Sequence, residues 1–269
     1  MKRSGIITLI TDFGLTDPYL AMMKGVILSI NPDARLVDIS HHIMAGSILQ
    51  AAGMIRETFP FFPEGTVHIA VVDPGVGSER RLIVLEAGRH LFVGPDNGLF
   101  WPLIAEYGEA RIIHLTESKY FLPNIKRTFH GRDVFAPVAA HLSLGVDPEK
   151  MGPILKDPVE LSSPKPHKKD DILYGQVMRV DNFGNLITNI SHEDLESFLK
   201  KSNPIINIGN IEIKRLDNIY SDVEKGEPLA LIDSANLLEI AINLGRASEY
   251  VGIDSCEIVG APVKVGRYE

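Results

Sequence analysis

Residues Thr66 to Val72 form a run rich in Val and Ile that stops abruptly at Asp73-Pro74-Gly75-Val76-Gly77-Ser78-Glu79-Arg80-Arg81. A run of this length and β-branched composition, closed by turn residues, predicts a buried strand. A carboxylate placed directly after a strand of an α/β sheet faces the crevice where such folds bind ligands. Gly75 and Gly77 let the connection turn sharply and approach a ligand closely. Asp73 and Arg80 then face one another across a short loop. Taken alone, the stretch is equally a solvated turn with a surface ion pair, because Asp-Pro-Gly is a common turn sequence. Adjacent Arg80 and Arg81 compete for the role, and only spacing favours Arg80.

The same texture recurs through the first part of the chain. Gly5–Ile10 reads as a strand that ends on Thr11-Asp12-Phe13-Gly14, and Asp17–Ile30 has helical spacing up to the stop signal Asn31-Pro32. Strands are predicted at 35–39, 81–87, 90–93 and 111–115, and helices at 45–58, 99–107 and 128–141. Alternation of this kind implies βαβ units and a mostly parallel sheet. The expected fold is therefore an α/β N-terminal domain over 1–157. Residues 158–171, rich in Pro, Lys, Ser and acids, read as a linker. Beyond it, short apolar runs separated by turns such as Asn182-Phe183-Gly184-Asn185 predict a smaller all-β, barrel-like C-terminal domain over 172–269. Ser191 with Asp194 predicts a capped helix over 191–201.

Composition narrows the function. Lys and Arg number 27 against 35 Asp and Glu, a net charge of −8 that argues against nucleic acid as the main partner. One cysteine, Cys256, allows no intrachain disulfide and fits a reducing, cytoplasmic setting. No apolar run approaches the roughly 20 residues of a membrane span, and the N-terminus lacks the pattern of a signal peptide. His41-His42 are adjacent, and no Cys or His spacing suggests zinc.

If the sheet is parallel, Asp12, Asp73 and the region of His130 lie at one edge of it. Asp12 suits a diol such as the 2′- and 3′-hydroxyls of a ribose, or a turn. His130, near Asp73 and Arg80, is a candidate to orient or deprotonate a water. Its neighbours Arg132 and Asp133 suit an ion pair at a helix start. Phe183 can stack on a base and the Asn185 amide can read its edge, although Asn and Gly are also ordinary β-turn residues. Asp12-Phe13-Gly14 imitates a kinase motif without the glycine-rich loop that should precede it. Gly75-Val76-Gly77-Ser78-Glu79-Arg80 fails the dinucleotide fingerprint at its last position.

Five ordered motifs, Ile10-Thr11-Asp12-Phe13-Gly14, Val72-Asp73-Pro74-Gly75-Val76-Gly77, Gly94-Pro95-Asp96-Asn97-Gly98, Thr128-Phe129-His130-Gly131-Arg132-Asp133 and Asp181-Asn182-Phe183-Gly184-Asn185, together span the chain. In these the chain resembles the S-adenosyl-L-methionine (SAM) hydroxide adenosyltransferases, or adenosine-forming SAM hydrolases, relatives of the fluorinases and chlorinases. The resemblance implies hydrolysis of SAM to adenosine and methionine without metal or cofactor. It also implies a homotrimer with active sites at subunit interfaces. By position, Asp73, Arg80 and His130 match the catalytic set that handles the attacking water. Asp12 matches the ribose contact, and Asp17 a contact to the methionine portion. Phe183 and Asn185 match adenine recognition, Tyr220 a ring on the adenine's other face, and Ser234 a methionine carboxylate contact. Asp181 lies one residue closer to Phe183 than its counterpart does in the fluorinases, which leaves its role as a methionine contact open. The halogenases carry an aromatic residue where Asp73 stands and a serine near the His130-Gly131 pair, so the departures favour water over halide. A halide-dependent adenosyltransferase and a non-catalytic SAM or adenosine sensor are the alternatives.

Overall fold

The computed structural model of the chain describes residues 1–268. It forms two compact units, Met1–Ser162 and the remainder from Ser163.

In chain order the first unit contains β1 (Ile6–Thr11), α1 (Tyr19–Ile30), β2 (Arg35–Ser40), α2 (Ile48–Thr58), β3 (Val67–Val71), β4 (Leu82–Ala87), β5 (His90–Pro95), α3 (Trp101–Glu106), β6 (Arg111–His114) and α4 (Ala136–Ser143). The strands form one sheet in the order β2-β1-β3-β5-β4-β6. Neighbours β2, β1, β3 and β5 run parallel, whereas β4 is antiparallel to both β5 and β6. The antiparallel step follows from the two-residue link Gly88-Arg89, which is too short for a crossover. Both residues have positive φ, 53° and 64°, as tight hairpins with the strand twist require.

Every residue of β3 is buried, so both faces of the sheet are covered. Leu20, Met23 and Ile27 of α1 pack with α4 on Ile7, Leu9, Ile69 and Val71. Ile55, Phe59 and Leu103 pack on Ile10, Ala70 and Phe92 of the other face. These alternate positions follow the two-residue period of a strand. Close layering also explains Gly94, where a Cβ would sit 2.4 Å from the Ala70 carbonyl oxygen.

The second unit contains β7 (His167–Lys169), β8 (Ile172–Val180), β9 (Leu186–Ser191), α5 (His192–Leu199), β10 (Asn203–Ile208), β11 (Ile211–Ile213), β12 (Pro228–Ile232), β13 (Leu237–Ile242), α6 (Ala247–Tyr250) and β14 (Pro262–Tyr268). All pairings are antiparallel, in the order β11-β10-β14-β8-β9-β13-β12, with β7 added on β8. The end strands β11 and β12 approach one another, so the sheet is a nearly closed barrel. Helix α5 has the expected capping box. The Ser191 hydroxyl accepts from Asp194 N at 3.1 Å, and the Asp194 carboxylate accepts from Ser191 N at 3.0 Å. The apolar run Glu257–Val265 predicts the last strand; it begins at Pro262 instead, because Asp254 turns the chain by accepting from Cys256 N at 3.1 Å. Within the stretch read as a linker, Val159 N donates to Asp96 and residues 167–169 form β7. Among the described residues, no helix is long and apolar enough to cross a membrane.

One polar group interrupts the first core. His68 is fully buried at the centre of the sheet. Its Nδ1 meets the Thr8 hydroxyl at 2.7 Å, its Nε2 meets His90 Nδ1 at 3.1 Å, and its ring stacks on Phe92. Burial first, and the neighbouring His90 second, push its pKa from 6.5 down to about 3. A histidine depressed in the folded state binds its proton first in the unfolded chain. Its contribution is complete above pH 6.5 and is lost as the pH falls toward about 3. The melting temperature of the wild type is expected to fall more steeply between neutral pH and this acid range than that of His68→Leu. Equal slopes in thermal denaturation would contradict the assignment.

Candidate active site

Strands β1 and β3 are adjacent and in register, with Thr11 opposite Val71. Asp12 and Asp73 therefore leave the same sheet edge from neighbouring strands. Past Asp73 the chain folds tightly: Val76 N donates to the Asp73 carbonyl at 3.2 Å, and the Ser78 hydroxyl donates to the Gly75 carbonyl at 2.7 Å. Gly77 has φ +82°, and a Cβ there would lie 2.8 Å from the Arg127 carbonyl oxygen. Only glycine suits this turn. The loop then re-enters the sheet through antiparallel β4, which brings Arg80 back over Asp73.

Arg80 Nε donates to Asp73 Oδ1 at 2.7 Å, and its Nη2 donates both to Asp73 Oδ2 and to His130 Nδ1, the latter at 3.0 Å. The Arg80 and Asp73 side chains are only 8% and 5% exposed. This is a fork-on-carboxylate pair, the strongest geometry open to such groups. The guanidinium carbon lies 5.9 Å from the Phe135 ring centre. Arg80 Nη1 is buried, and among the described residues no protein group accepts its hydrogens.

A guanidinium only donates. His130 Nδ1 is therefore an acceptor, and the neutral ring carries its hydrogen on Nε2. The His130 pKa is lowered, by burial first and then by the Arg80 charge; Asp73 and Asp133 oppose the shift. The residues that follow form a wide π-type turn, Gly131–Phe135, leading into α4. Buried Asp133 pairs with Arg132 at 2.6 Å, as the sequence suggests, and also accepts from Lys126 N at 2.7 Å. It thereby holds the segment that carries His130. Arg81 turns away, donating to Asp96 Oδ2 and to Asp157 Oδ1, both at 2.8 Å. Arg80 is thus the arginine that meets Asp73.

Asp12 accepts from Gly46 N at 2.9 Å through Oδ2, which leaves Oδ1 for another donor. Asp17 is exposed just before α1, whose cap position is Pro18 without a side-chain bond, so Asp17 does not cap the helix. A cleft of about 310 Å³ is lined by Phe13, Tyr19, Lys126, Thr128, Phe129 and Arg132. Phe13 follows Asp12 and Phe129 precedes His130. The rings of Phe13, Tyr19 and Phe129 meet edge to face. This aromatic set was not legible from motif spacing.

The second unit gathers another group. Asp181 Oδ1 accepts from Phe183 N and Asn185 N at 2.9 and 2.8 Å, and its Oδ2 accepts from Asn185 Nδ2 at 3.0 Å. The Asp181 carboxylate is thus engaged in shaping its own turn. Phe183 stands 72% exposed at the tip, an unusual position for a large apolar ring. Asn185 is buried, its NH2 donates to Asp181, and its amide oxygen is its remaining side-chain acceptor. Ser234 is exposed in a turn organised by Asp233, which accepts from Ala235 N and Leu237 N. The Tyr220 hydroxyl donates to Glu239 at 2.8 Å. Burial, followed by this bond, raises the Tyr220 pKa to about 12. Glu239 is also raised, chiefly by burial; Asp181 and Asp233 add to the shift, whereas the Tyr220 bond and Arg179 oppose it. Sequence reasoning passed over Glu239, although a lone acid within Leu237-Leu238-Glu239-Ile240-Ala241-Ile242 was a visible signal. Among the described residues no cluster of three or more His, Cys, Asp or Glu is placed to hold a metal ion.

Residues 7–152 match the SAM hydroxide adenosyltransferase N-terminal domain, and residues 175–259 match the C-terminal domain of the same family. The (R)-S-adenosyl-L-methionine hydrolase of Thermus thermophilus is 38% identical over 267 residues, covering 95% of this chain and 97% of that protein. A hydrolase of the same name from Methanocaldococcus jannaschii is 37% identical, covering 93% and 92%. The fluorinase of an Actinoplanes species is 30% identical, covering 71% and 73%. The crystal structure of an uncharacterized conserved protein from Thermotoga maritima superimposes with a TM-score of 0.88 at 36% identity, covering 97% of this chain and all of that one.

The division of labour between the two arginines has a direct consequence. Asp96 is 2% exposed on its side chain and relies on Arg81. Arg81→Ala is expected to cost about 1–3 kcal/mol of stability in chemical denaturation, the usual cost of leaving a buried acceptor underpaired. Unchanged stability would contradict this anchoring role.

Proposed function

The chain belongs to the SAM hydroxide adenosyltransferase family, and on that premise we propose that it hydrolyses S-adenosyl-L-methionine to adenosine and L-methionine. The observation that carries the reading is the buried contact of Asp73, Arg80 and His130 at the edge from which Asp12 also emerges.

The reaction is a displacement at ribose C5′. A water oxygen forms the new bond to C5′ as the C5′–S bond breaks, and the bonding pair returns to sulfur. Methionine leaves as a neutral thioether, so the departing group needs no acid. One water proton is released, through Asp73, to solvent. The difficulty is the weak nucleophile, which must be held in line about 3–3.5 Å from C5′ with other waters excluded. Arg80 holds the Asp73 carboxylate in place as an acceptor for a water hydrogen. Its buried Nη1 offers a hydrogen to an oxygen that becomes hydroxide-like. His130 serves as a donor through Nε2, not as the base, because Arg80 occupies its other nitrogen. Of the two roles open to His130, orienting or deprotonating the water, this favours orienting it.

The Asp73 carboxylate repels a halide, which favours the hydrolase over the halogenase reading. Asp12 would hold the ribose hydroxyls and Asp17 the methionine portion. Phe183, Asn185 and Tyr220 would hold the adenine, and Ser234 the methionine carboxylate. Asp181 serves the site by shaping the Asn182–Asn185 turn rather than by touching methionine. The proposal includes a homotrimer with sites at subunit interfaces, supported by the family resemblance, work in a reducing cytoplasmic compartment, and no requirement for a metal or cofactor.

Pure protein incubated with SAM, with and without chloride, is expected to form adenosine at equal rates. A 5′-chloro product would move it to the halogenase branch, and saturable binding without turnover would make it a sensor. Asp73→Asn and His130→Ala are each expected to lower kcat about 100-fold while SAM still binds; unchanged kcat in both would sink the assignment. Because the His130 pKa lies below the ordinary 6.5, its Nδ1 keeps the lone pair that accepts from Arg80 to lower pH than an ordinary histidine allows. The profile of kcat/KM is therefore expected to stay level down through pH 6.5 and to fall only in more acid solution. A fall already centred at or above 6.5 would contradict the neutral ring held on Arg80.

A further inference from the structure

Glu239 has no part in the chemistry above, yet it is a carboxylate 4% exposed in the middle of a strand. Its neighbours in β13, Leu238 and Ile240, face the barrel core. Glu239 shares the opposite face with Leu229, Leu231 and Ala241, a small apolar patch completed by Val223. Burying a carboxylate in such a place is costly unless it is paired.

The segment that covers this face is Asp217–Val223. It is pinned at both ends, by Asp217 N on the Ala230 carbonyl at 2.7 Å and by Asn243 Nδ2 on the Val223 carbonyl at 2.8 Å. Between the pins, Ile219 and Tyr220 are 56% and 46% exposed. The Tyr220 hydroxyl reaches down to Glu239 while much of its ring stays open to solvent. Glu239 lies opposite Ile187 of β9, two residues past Asn185, which puts it beside the turn that Asp181 shapes. Arg179, Asp181 and Asp233 are the other charged groups around Glu239.

We infer that Glu239 is a positioning residue for nucleoside binding: by accepting the Tyr220 hydroxyl it holds that exposed ring as a fixed wall beside the Asp181–Asn185 turn. The inference rests on the nucleoside-binding part of the function proposed above. An exposed tyrosine on a loop otherwise samples several rotamers, and ordering it on binding weakens affinity. Tethered in advance, the ring is ready to stack. Glu239 touches no reacting atom and acts on the ground state and transition state alike, so its loss raises KM and leaves kcat in place.

The test measures adenosine affinity by calorimetry and SAM kinetics on the full chain, for Glu239→Leu, Glu239→Gln, Tyr220→Phe and the double variant Tyr220→Phe/Glu239→Leu. Glu239→Leu and Tyr220→Phe are each expected to weaken adenosine binding and raise KM about tenfold, within the range that one stacked base commands. The double variant is expected to match either single one, because both remove the same tether. Glu239→Gln retains an acceptor oxygen and is expected to restore most of the affinity. Unchanged adenosine affinity in Tyr220→Phe, or multiplicative losses in the double variant, would overturn the inference. Tyr220→Phe alters an exposed side chain, so it reports even if Glu239→Leu fails to fold. Adenosine binding without SAM turnover in the wild type would defeat the hydrolase reading and still measure the tether. Wild-type protein that binds no adenosine would overturn both.

Discussion

The site depends on one guanidinium shared between two partners. Arg80 grips Asp73 with one edge and His130 with the end of the same fork. Such a pair, almost wholly removed from solvent, adds little net stability, since desolvation offsets the attraction. Breaking it is another matter, because a lone buried charge costs about 3–5 kcal/mol. A buried charge constellation at a sheet edge is better explained by what it does to its members. It holds the Asp73 carboxylate in place, fixes the tautomer of His130 and lowers that ring's affinity for a proton.

The fold exists around that contact in a specific sense. Parallel β1 and β3 deliver Asp12 and Asp73 side by side. The Gly88-Arg89 hairpin makes β4 antiparallel, so the chain leaving β3 must come straight back. That reversal, with Gly77 pressed on the Arg127 carbonyl, returns Arg80 to the carboxylate seven residues earlier. Asp133 holds the opposite wall by tying Lys126 to the turn that carries His130. The second unit uses the same device twice, since the Asp181 carboxylate shapes a turn by accepting from the amides of Phe183 and Asn185, and Glu239 tethers a ring. In each case a carboxylate organises backbone or side chain so that another group is presented.

Periodicity made most of the strands and helices legible, and the capping box at Ser191 could be read directly. Asp73 facing Arg80 was also legible, since a seven-residue loop between a strand end and a base allows little else. Other features were not. Arg80 and Arg81 are the same residue type at adjacent positions just before β4, and only their folded partners, Asp73 for one and Asp96 for the other, distinguish them. The tautomer of His130 is set by a partner fifty residues away. The start of β14 shifted because Asp254 turns a stretch whose apolar content reads as strand. Helix α6, one turn long, is too short to leave a periodic signature. Tyr220 and Glu239 are joined across the barrel surface, a pairing that strand register creates and spacing does not reveal.

In the proposed reaction the Asp73–Arg80–His130 contact directs a water oxygen to C5′. Turnover of SAM in water labelled with heavy oxygen, followed by mass spectrometry of both products, tests it most directly. The account predicts one labelled oxygen in the 5′-hydroxyl of adenosine and none in methionine. Unlabelled adenosine, or label in methionine alone, would contradict it.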